Sequence, residues 1–296
     1  MSTLTPEQKQ IGSDNYYEAL GVSRRDFLKG VALAGVTSGA GLGAMYFGYG
    51  DQVANPVRVG VIGTGDEGSV LIGSMNPNYV EVKAICDIRP YSVHRAFHGD
   101  WSSPNTIKVR PGLMSVFGWK TEDEARQNVK VYQDYTELLQ NPDIEAVVIA
   151  LPLHLHAPVA IDAMMAGKHV LTEKLMAYDI ASCKEMARVS KSQDRYLATG
   201  HQRHYSVLYD NAVHLIKWDL LGQLHHIRAQ WHRGNLPGAD SWKQALPGGE
   251  MTAAGTKKDV IFDRMKSLQN KMKSPNLSPS ELSSVEKQLA QWTAWN

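Results

Sequence analysis

"VRVGVIGTGDEGSVLIG" (residues 57–73) opens on a short β-branched apolar run, passes through three glycines in six residues and closes on a helix-like apolar pattern. The run is too short for a core helix and ends on Gly63, which predicts a buried strand; "DEGSVLIGSM" (66–75) then predicts a helix stopped by Asn76-Pro77-Asn78. Working outward, the same alternation recurs. Strands are predicted at "VEVKAICD" (80–87), "VKVY" (129–132), "IEAVVIALP" (144–152), "HVLTE" (169–173) and "RYLATG" (195–200). Helices are predicted at "DYTELLQN" (134–141), "APVAIDAMMAGK" (157–168) and "DIASCKEMARVSKS" (179–192), with Pro158 near a helix start and Gly167 just past its end. Residues 88–120, rich in Gly, Pro, Ser and Trp, read as irregular. Thr121 then caps a helix, with Glu124 completing a capping box. Strands alternating with helices of this length need crossover connections, so residues 55–200 are predicted to form an α/β domain with a doubly wound parallel sheet.

The totals bound the rest. A chain of 296 residues with 43% hydrophobic content has room for about two domains. A net charge of +1 with 21% charged residues argues against a nucleic-acid binder, so no such partner is expected. Its two cysteines, Cys86 and Cys183, have no metal-binding spacing; one falls in a predicted strand and one in a predicted helix, so both are expected as buried thiols.

Upstream, "SRRDFLKG" (23–30) places Ser23, Arg24, Arg25, Phe27, Leu28 and Lys29 in the order of a twin-arginine export signal, and a charge-free, glycine-rich apolar run follows to Gly50. Residues 1–54 are therefore expected to be signal and linker, with the mature chain starting between 40 and 56. The predicted partner is the twin-arginine machinery, the predicted location periplasmic or extracytoplasmic. That route carries folded proteins.

Downstream, residues 201–296 are expected to begin a second, α+β domain. "SVLYDNAVHLIKWDLLG" (206–222) predicts an amphipathic helix closed by Gly222, and "LHHIRAQWHR" (224–233) alternates as a half-buried antiparallel strand would. Polar, helix-like sequence broken at "SPNLSPSE" follows, ending in "QWTAWN", with Trp292 and Trp295 in what should be a frayed, polar end. One strand makes no stable sheet. The domain thus reads as incomplete: either the chain is a fragment or another chain supplies the missing sheet.

Chemistry concentrates at the predicted strand ends. Gly63-Thr64-Gly65-Asp66-Glu67-Gly68 is a G-x-G-x-x-G between strand and helix. Its first glycine permits the turn, the second lets backbone approach a pyrophosphate at the helix N-terminus, and the third lets helix and strand pack closely. Asp87 stands 19 residues beyond Gly68, near the spacing of a carboxylate that binds a ribose 2′-hydroxyl. It favours NAD over NADP, with Arg89 softening that preference. Glu173 and Lys174 stand at the carboxyl end of the predicted strand "HVLTE" (169–173), where open α/β sheets bind ligands; a lysine there can hydrogen-bond a substrate hydroxyl and help remove its proton as hydride leaves the same carbon. "ALPLHLHAP" (150–158) and "GHQRHY" (200–205) add Pro152, His154, His156, His201, Gln202, Arg203 and His204. If extended, His154 and His156 point to opposite faces, and no carboxylate shares a helical spacing with a histidine pair; no metal site is predicted.

Taken together, "GVIGTGDEG", Asp87, Pro152 and His156 in "LPLHLHAP", "AGKHVLTEK" and "GHQRHY" resemble the Gfo/Idh/MocA family of NAD(P)-dependent oxidoreductases over about residues 57–235. The resemblance implies a Rossmann domain followed by a mainly antiparallel sheet domain, action on sugars, inositols and related polyols, and a homo-oligomer packed through the open sheet face. It also implies that Lys174 is the catalytic lysine, and that Pro152, His156, Glu173 and Gln202 line the nicotinamide side, with Gly63, Thr64, Gly65, Gly68, Asp87 and Arg89 on the rest of the dinucleotide. Arg203 and His204 fall toward the substrate. Three departures stand out: Leu175 replaces the proline of Glu-Lys-Pro, His204 stands where arginine is common, and the Asp-x-x-x-His segment of the sheet domain is absent. Besides an exported oxidoreductase, the resemblance allows a glycoside hydrolase that uses NAD transiently, and a dinucleotide-binding chain without activity.

Overall fold

The computed structural model describes residues 55–230, 245–252 and 254–296. Residues 55–200 form six parallel strands in the order β3-β2-β1-β4-β5-β6. They are β1 (Val57–Ile62), β2 (Val80–Cys86), β3 (Lys130–Tyr132), β4 (Ala146–Ile149), β5 (His169–Thr172) and β6 (Leu197–Thr199). This is the strand order of a Rossmann sheet, and its direction of winding reverses between β1 and β4, where such sheets bind ligands. Helices cover both faces, so β4 (AVVI) is apolar throughout, and β1 and β2 become apolar and buried on both faces toward their carboxyl ends. In β4, Val147 and Ile149 pack into one core with Ala160, Met164 and Met186, while Val148 turns to the other with Val61, Ile72 and Phe97.

The crossovers carry α1 (Asp66–Gly73), α2 (Pro90–His98), α3 (Pro104–Val109), α4 (Leu113–Phe117), α5 (Glu122–Asn128), α6 (Tyr135–Leu139), α7 (His156–Met165) and α8 (Ile180–Gln193). Three of these correct the sequence reading, which left residues 88–120 irregular. In α2, Pro90 supplies the fixed φ of a first helical turn, and Tyr91, Arg95, Ala96 and Phe97 are buried. In α4 the buried anchor is Leu113. These short helices owe their stability to what they bury, a signal that local composition conceals.

The capping box at α5 is half formed. Thr121 Oγ1 accepts from the Glu124 N–H at 3.1 Å, but Glu124 reaches back to the Lys120 N–H, one residue beyond the cap. Both cysteines are free; Cys86 is buried, whereas Cys183 is only half-buried against the expectation. Burial pushes the Cys86 thiol up to about 12, which leaves it unreactive at neutral pH.

Residues 201–230 group in a second compact unit. There α9 spans Val207–Lys217 and ends at Trp218, followed by Asp219 at φ +58°. The expected stop at Gly222 lies beyond the real one, because Asp219 already takes the left-handed conformation that ends a helix. Residues 224–230 are exposed and form no strand, as an unpaired strand segment would be expected to behave. The remainder of "LHHIRAQWHR" lies outside the described residues, as do the twin-arginine segment and the signal expected at 1–54.

The last residues belong with the nucleotide-binding domain. A two-residue antiparallel pair, β7 (Glu250–Met251) with β8 (Lys257–Lys258), precedes a helical hairpin of α10 (Val260–Met272) and α11 (Pro279–Trp295). "SPSE" starts α11 with a complete Ser278–Glu281 capping box and Pro279 in the first turn. The terminus expected to fray is instead docked on α2: Trp295 stacks on Tyr91 with centroids 4.1 Å apart, and Trp292 stacks on Trp295 at 4.9 Å.

Gln291, 1% exposed, accepts from the Trp101 N–H at 2.7 Å and donates to Tyr91 Oη and Asp100 Oδ1 at 3.0 and 2.9 Å. Burial alone would raise the Asp100 pKa, but hydrogen bonds from Gln291 and Ser102 and the Arg95 charge outweigh it and bring it down to about 2. A depressed acid stabilises the fold above its ordinary pKa of about 3.9 and loses that contribution as pH falls through the folded value. The near-UV circular dichroism of the docked tryptophans is therefore expected to hold from neutrality to pH 4 and to decay toward pH 2. Decay already at pH 6, or full signal at pH 2, contradicts this assignment.

Candidate functional site

The site is built from loops at the carboxyl ends of β1, β2, β4, β5 and β6. Each strand end is held by a continued ladder. Gly63 N–H donates to Cys86 O (2.8 Å), Ala150 to Ile62 O (2.9 Å), Glu173 to Ile149 O (2.9 Å) and Gly200 to Thr172 O (2.7 Å).

The three glycines of the turn have three separable reasons to be glycine. Gly63 has φ +88°, and a Cβ there would lie 2.3 Å from the Ala150 carbonyl oxygen. At Gly68 a Cβ would lie 2.0 Å from the Gly63 carbonyl oxygen, so α1 can approach β1 only without a side chain. Around Gly65 no protein atom lies within 4 Å of the corresponding Cβ position. The space over Gly65 is open at the N-terminus of α1, where unpaired N–H groups and the helix dipole favour an anion. The residues present thus fit a dinucleotide pyrophosphate at this turn.

Asp87 is braced against the same turn. Its Oδ2 accepts from the Thr64 N–H at 2.8 Å and Oγ1 at 3.1 Å, and its Oδ1 accepts from the Arg89 N–H at 2.9 Å. Thr64 is fully buried and uses its hydroxyl on Asp87, so it shapes the turn from within; Arg89 itself is exposed.

On the β4–β5 side, Pro152 begins a 3-10 turn (Leu153–Leu155) that runs straight into α7. The extended geometry that would split His154 and His156 to opposite faces is therefore not formed: His154 is exposed and His156 is 2% exposed. His156 Nδ1 lies 2.7 Å from Leu175 O and Nε2 2.8 Å from Leu151 O. The ring ties the loop after β4 to the loop after β5.

Glu173 is buried and accepts from the Lys174 N–H at 3.0 Å, with Lys174 Nζ 3.9 Å away and half-exposed. The Lys174–Leu175 peptide bond is cis. Gly200, absent from the predicted site, makes room for Glu173: a Cβ there would meet Glu173 Oε1 at 2.7 Å. The sequence signal for it is its place closing the predicted strand at 195–200; its fit against Glu173 comes from the fold.

Thus Gly63, Thr64, Gly65, Gly68, Asp87 and Arg89 come together at one turn, and Pro152, His156, Glu173 and Lys174 along one sheet edge. Gln202, Arg203 and His204 lie in a 3-10 turn (Gln202–Tyr205) of the second unit, where Arg203 donates to Tyr209 Oη at 2.7 Å and His204 meets the His201 ring edge-on.

Residues 57–201 match the model of the GFO_IDH_MocA oxidoreductase family, NAD-binding Rossmann fold. The nucleotide-binding domain is that of the Gfo/Idh/MocA oxidoreductases. An uncharacterised oxidoreductase of Schizosaccharomyces pombe is 33% identical over 146 residues, 46% of this chain and 40% of its own. A glycosyl hydrolase family 109 protein of Solibacter usitatus is 28% identical over 209 residues, 69% of this chain and 44% of its own. The solved scyllo-inositol dehydrogenase of Lactobacillus casei, with bound NAD(H) and scyllo-inositol, is 21% identical with a TM-score of 0.43, covering 57% of this chain and 43% of that one. The chain thus spans less than half the length of these relatives. The matched domain is of the NAD-binding Rossmann kind.

Proposed function

We propose that this protein is an exported oxidoreductase that moves a hydride between NAD(P) and a sugar, inositol or related polyol. The observation that carries the reading is the Glu173–Lys174 pair, seated at the carboxyl end of β5 on the same sheet edge as the open space over Gly65. Gly63, Gly65 and Gly68 would seat the pyrophosphate, and Asp87 the adenosine ribose. Pro152, His156 and Glu173 shape the nicotinamide side. Bound NAD(P) supplies the hydride acceptor or donor.

Lys174 Nζ hydrogen-bonds the substrate hydroxyl and takes its proton while the hydride leaves the same carbon, so that a carbinol becomes a carbonyl. Buried Glu173 fixes the Lys174 backbone from one side. His156, buried and bonded to the Leu175 carbonyl, fixes it from the other. Arg203 and His204 are assigned to the substrate and Gln202 to the cofactor on the family resemblance. The twin-arginine segment supports export after the domain has folded around its cofactor.

A second reading has its own support. Glycosyl hydrolase family 109 proteins of Solibacter usitatus and Shewanella amazonensis align over 69% and 71% of this chain, and an α-N-acetylgalactosaminidase of Shewanella oneidensis is 28% identical over 59% of it. In that reading a sugar carbon is oxidised only transiently, which acidifies the neighbouring C–H and lets the glycosidic bond eliminate. Cofactor balance separates the two. Accumulation of NADH from a polyol or free sugar supports the oxidoreductase; release of an aryl leaving group from an N-acetylgalactosaminide with catalytic NAD and no net NADH supports the hydrolase.

A further inference from the structure

Asp66 is the first residue of α1, directly after Gly65. A carboxylate at a helix N-terminus is drawn to the same N–H groups and the same dipole that a phosphate needs, and it repels that phosphate. An acidic residue in this place therefore has to be neutralised or turned away.

The structure does both. Asp66 Oδ1 accepts from Arg95 Nη1 at 2.6 Å and lies 3.6 Å from Arg110 Nη1, so the carboxylate is drawn toward these two guanidinium groups. Arg95 projects from α2 and is 3% exposed. Its Nη1 also reaches Asp100 Oδ2 at 3.0 Å, as does Arg110 Nη1 at 3.0 Å. Two guanidinium groups thus balance two carboxylates beside the glycine turn. Arg95 Nε is buried without a hydrogen-bond partner, an arrangement that costs stability and that a purely structural group would be expected to avoid.

The cluster continues outward. Asp100 Oδ1 is held by Gln291 of α11, and the Arg95 guanidinium lies 4.5 Å over the Tyr91 ring, on which Trp295 stacks.

We propose that Arg95 is a positioning residue for dinucleotide binding: it holds the Asp66 carboxylate away from the phosphate-binding N–H groups. Asp100 and Gln291 hold Arg95 in place, which makes α11 part of the support of the cofactor site. The proposal rests on dinucleotide binding at the glycine turn.

The test is a double-mutant cycle read as NAD affinity by calorimetric titration. Arg95→Met is expected to weaken NAD binding about tenfold by leaving the Asp66 carboxylate at the anion site with only the more distant Arg110. Asp66→Asn in the same background is expected to restore it to within about threefold of wild type. A loss that Asp66→Asn does not repair means Arg95 serves folding only and overturns the proposal, as does Arg95→Met with wild-type affinity.

Should Arg95→Met fail to fold, Gln291→Leu asks the same question. It frees Asp100 to compete for Arg95, so it is expected to weaken NAD severalfold, a loss erased by Asp66→Asn. Unchanged affinity, or weakening that survives Asp66→Asn, overturns the proposal. A wild-type protein that binds no dinucleotide overturns the underlying reading and the proposal with it, an outcome distinct from failure of the cycle alone.

Discussion

Gly65→Val is expected to fold as the wild type does and to lose NAD binding by about a hundredfold or more, because the branched side chain occupies the space that backbone leaves to the pyrophosphate. Beyond its own residue and chain neighbours, no protein atom lies within 4 Å of a Cβ placed on Gly65, and its φ of −64° is outside the left-handed region that favours glycine. Unfolding free energy should therefore move by less than about 1 kcal/mol.

Gly68→Ala is the internal contrast. Its Cβ would press on the Gly63 carbonyl at 2.0 Å, backbone against side chain with no flexible end to give way. A loss at or beyond the upper end of the usual overpacking cost, about 3 kcal/mol, is expected. Urea denaturation and NAD titration of the two variants together check the assignment. Equal destabilisation of both would mean that the turn is structural throughout.

The second large effect is at Lys174. Lys174→Met keeps the length and apolar stem of the side chain but removes the proton carrier. In the active protein it is expected to lower turnover by about 10²–10⁴-fold while NAD affinity stays at the wild-type value. Its side chain is half-exposed and lies 3.9 Å from the Glu173 carboxylate, so little folding energy rests on it. Turnover within a factor of two of wild type would remove Lys174 from the chemistry. A parallel collapse of NAD binding would instead assign it to the cofactor.

Much of the nucleotide-binding domain is legible in the sequence because a buried parallel strand leaves a strong mark. Past Arg58 and Glu145, the runs "VGVIG" and "AVVIA" are apolar on both faces, and the pattern needs no knowledge of what packs there. The glycine turn is legible for the same reason: its constraints are local. Segments stabilised from a distance are not. The helices between residues 90 and 117 show little helical signal of their own, and α2 holds because Tyr91, Ala96 and Phe97 are buried. Trp292 and Trp295 read as a frayed end until Tyr91, some two hundred residues earlier, is seen beneath them. Alternation at 224–230 suggested a strand, yet no ladder pairs it among the described residues.

The candidate site divides along the same line. Gly63, Gly65, Gly68 and Asp87 are found by spacing along the chain, and Lys174 by its place at the end of a predicted strand and by the family resemblance. The buried tie made by His156 between two loops, and the fit of Gly200 against Glu173, exist only once β4, β5 and β6 lie side by side. Arg95 and Asp100 carry no motif. Their place beside the glycine turn comes from the crossover that returns α2 to it.

The most direct test of dinucleotide binding at the glycine turn is native mass spectrometry of the protein titrated with NAD and, separately, NADP. One dinucleotide per chain is expected for the wild type, with NAD held more tightly than NADP because of Asp87, and none for Gly65→Val under the same conditions. A wild-type chain that carries neither dinucleotide at millimolar cofactor, or a Gly65→Val chain that carries as much as the wild type, would contradict it.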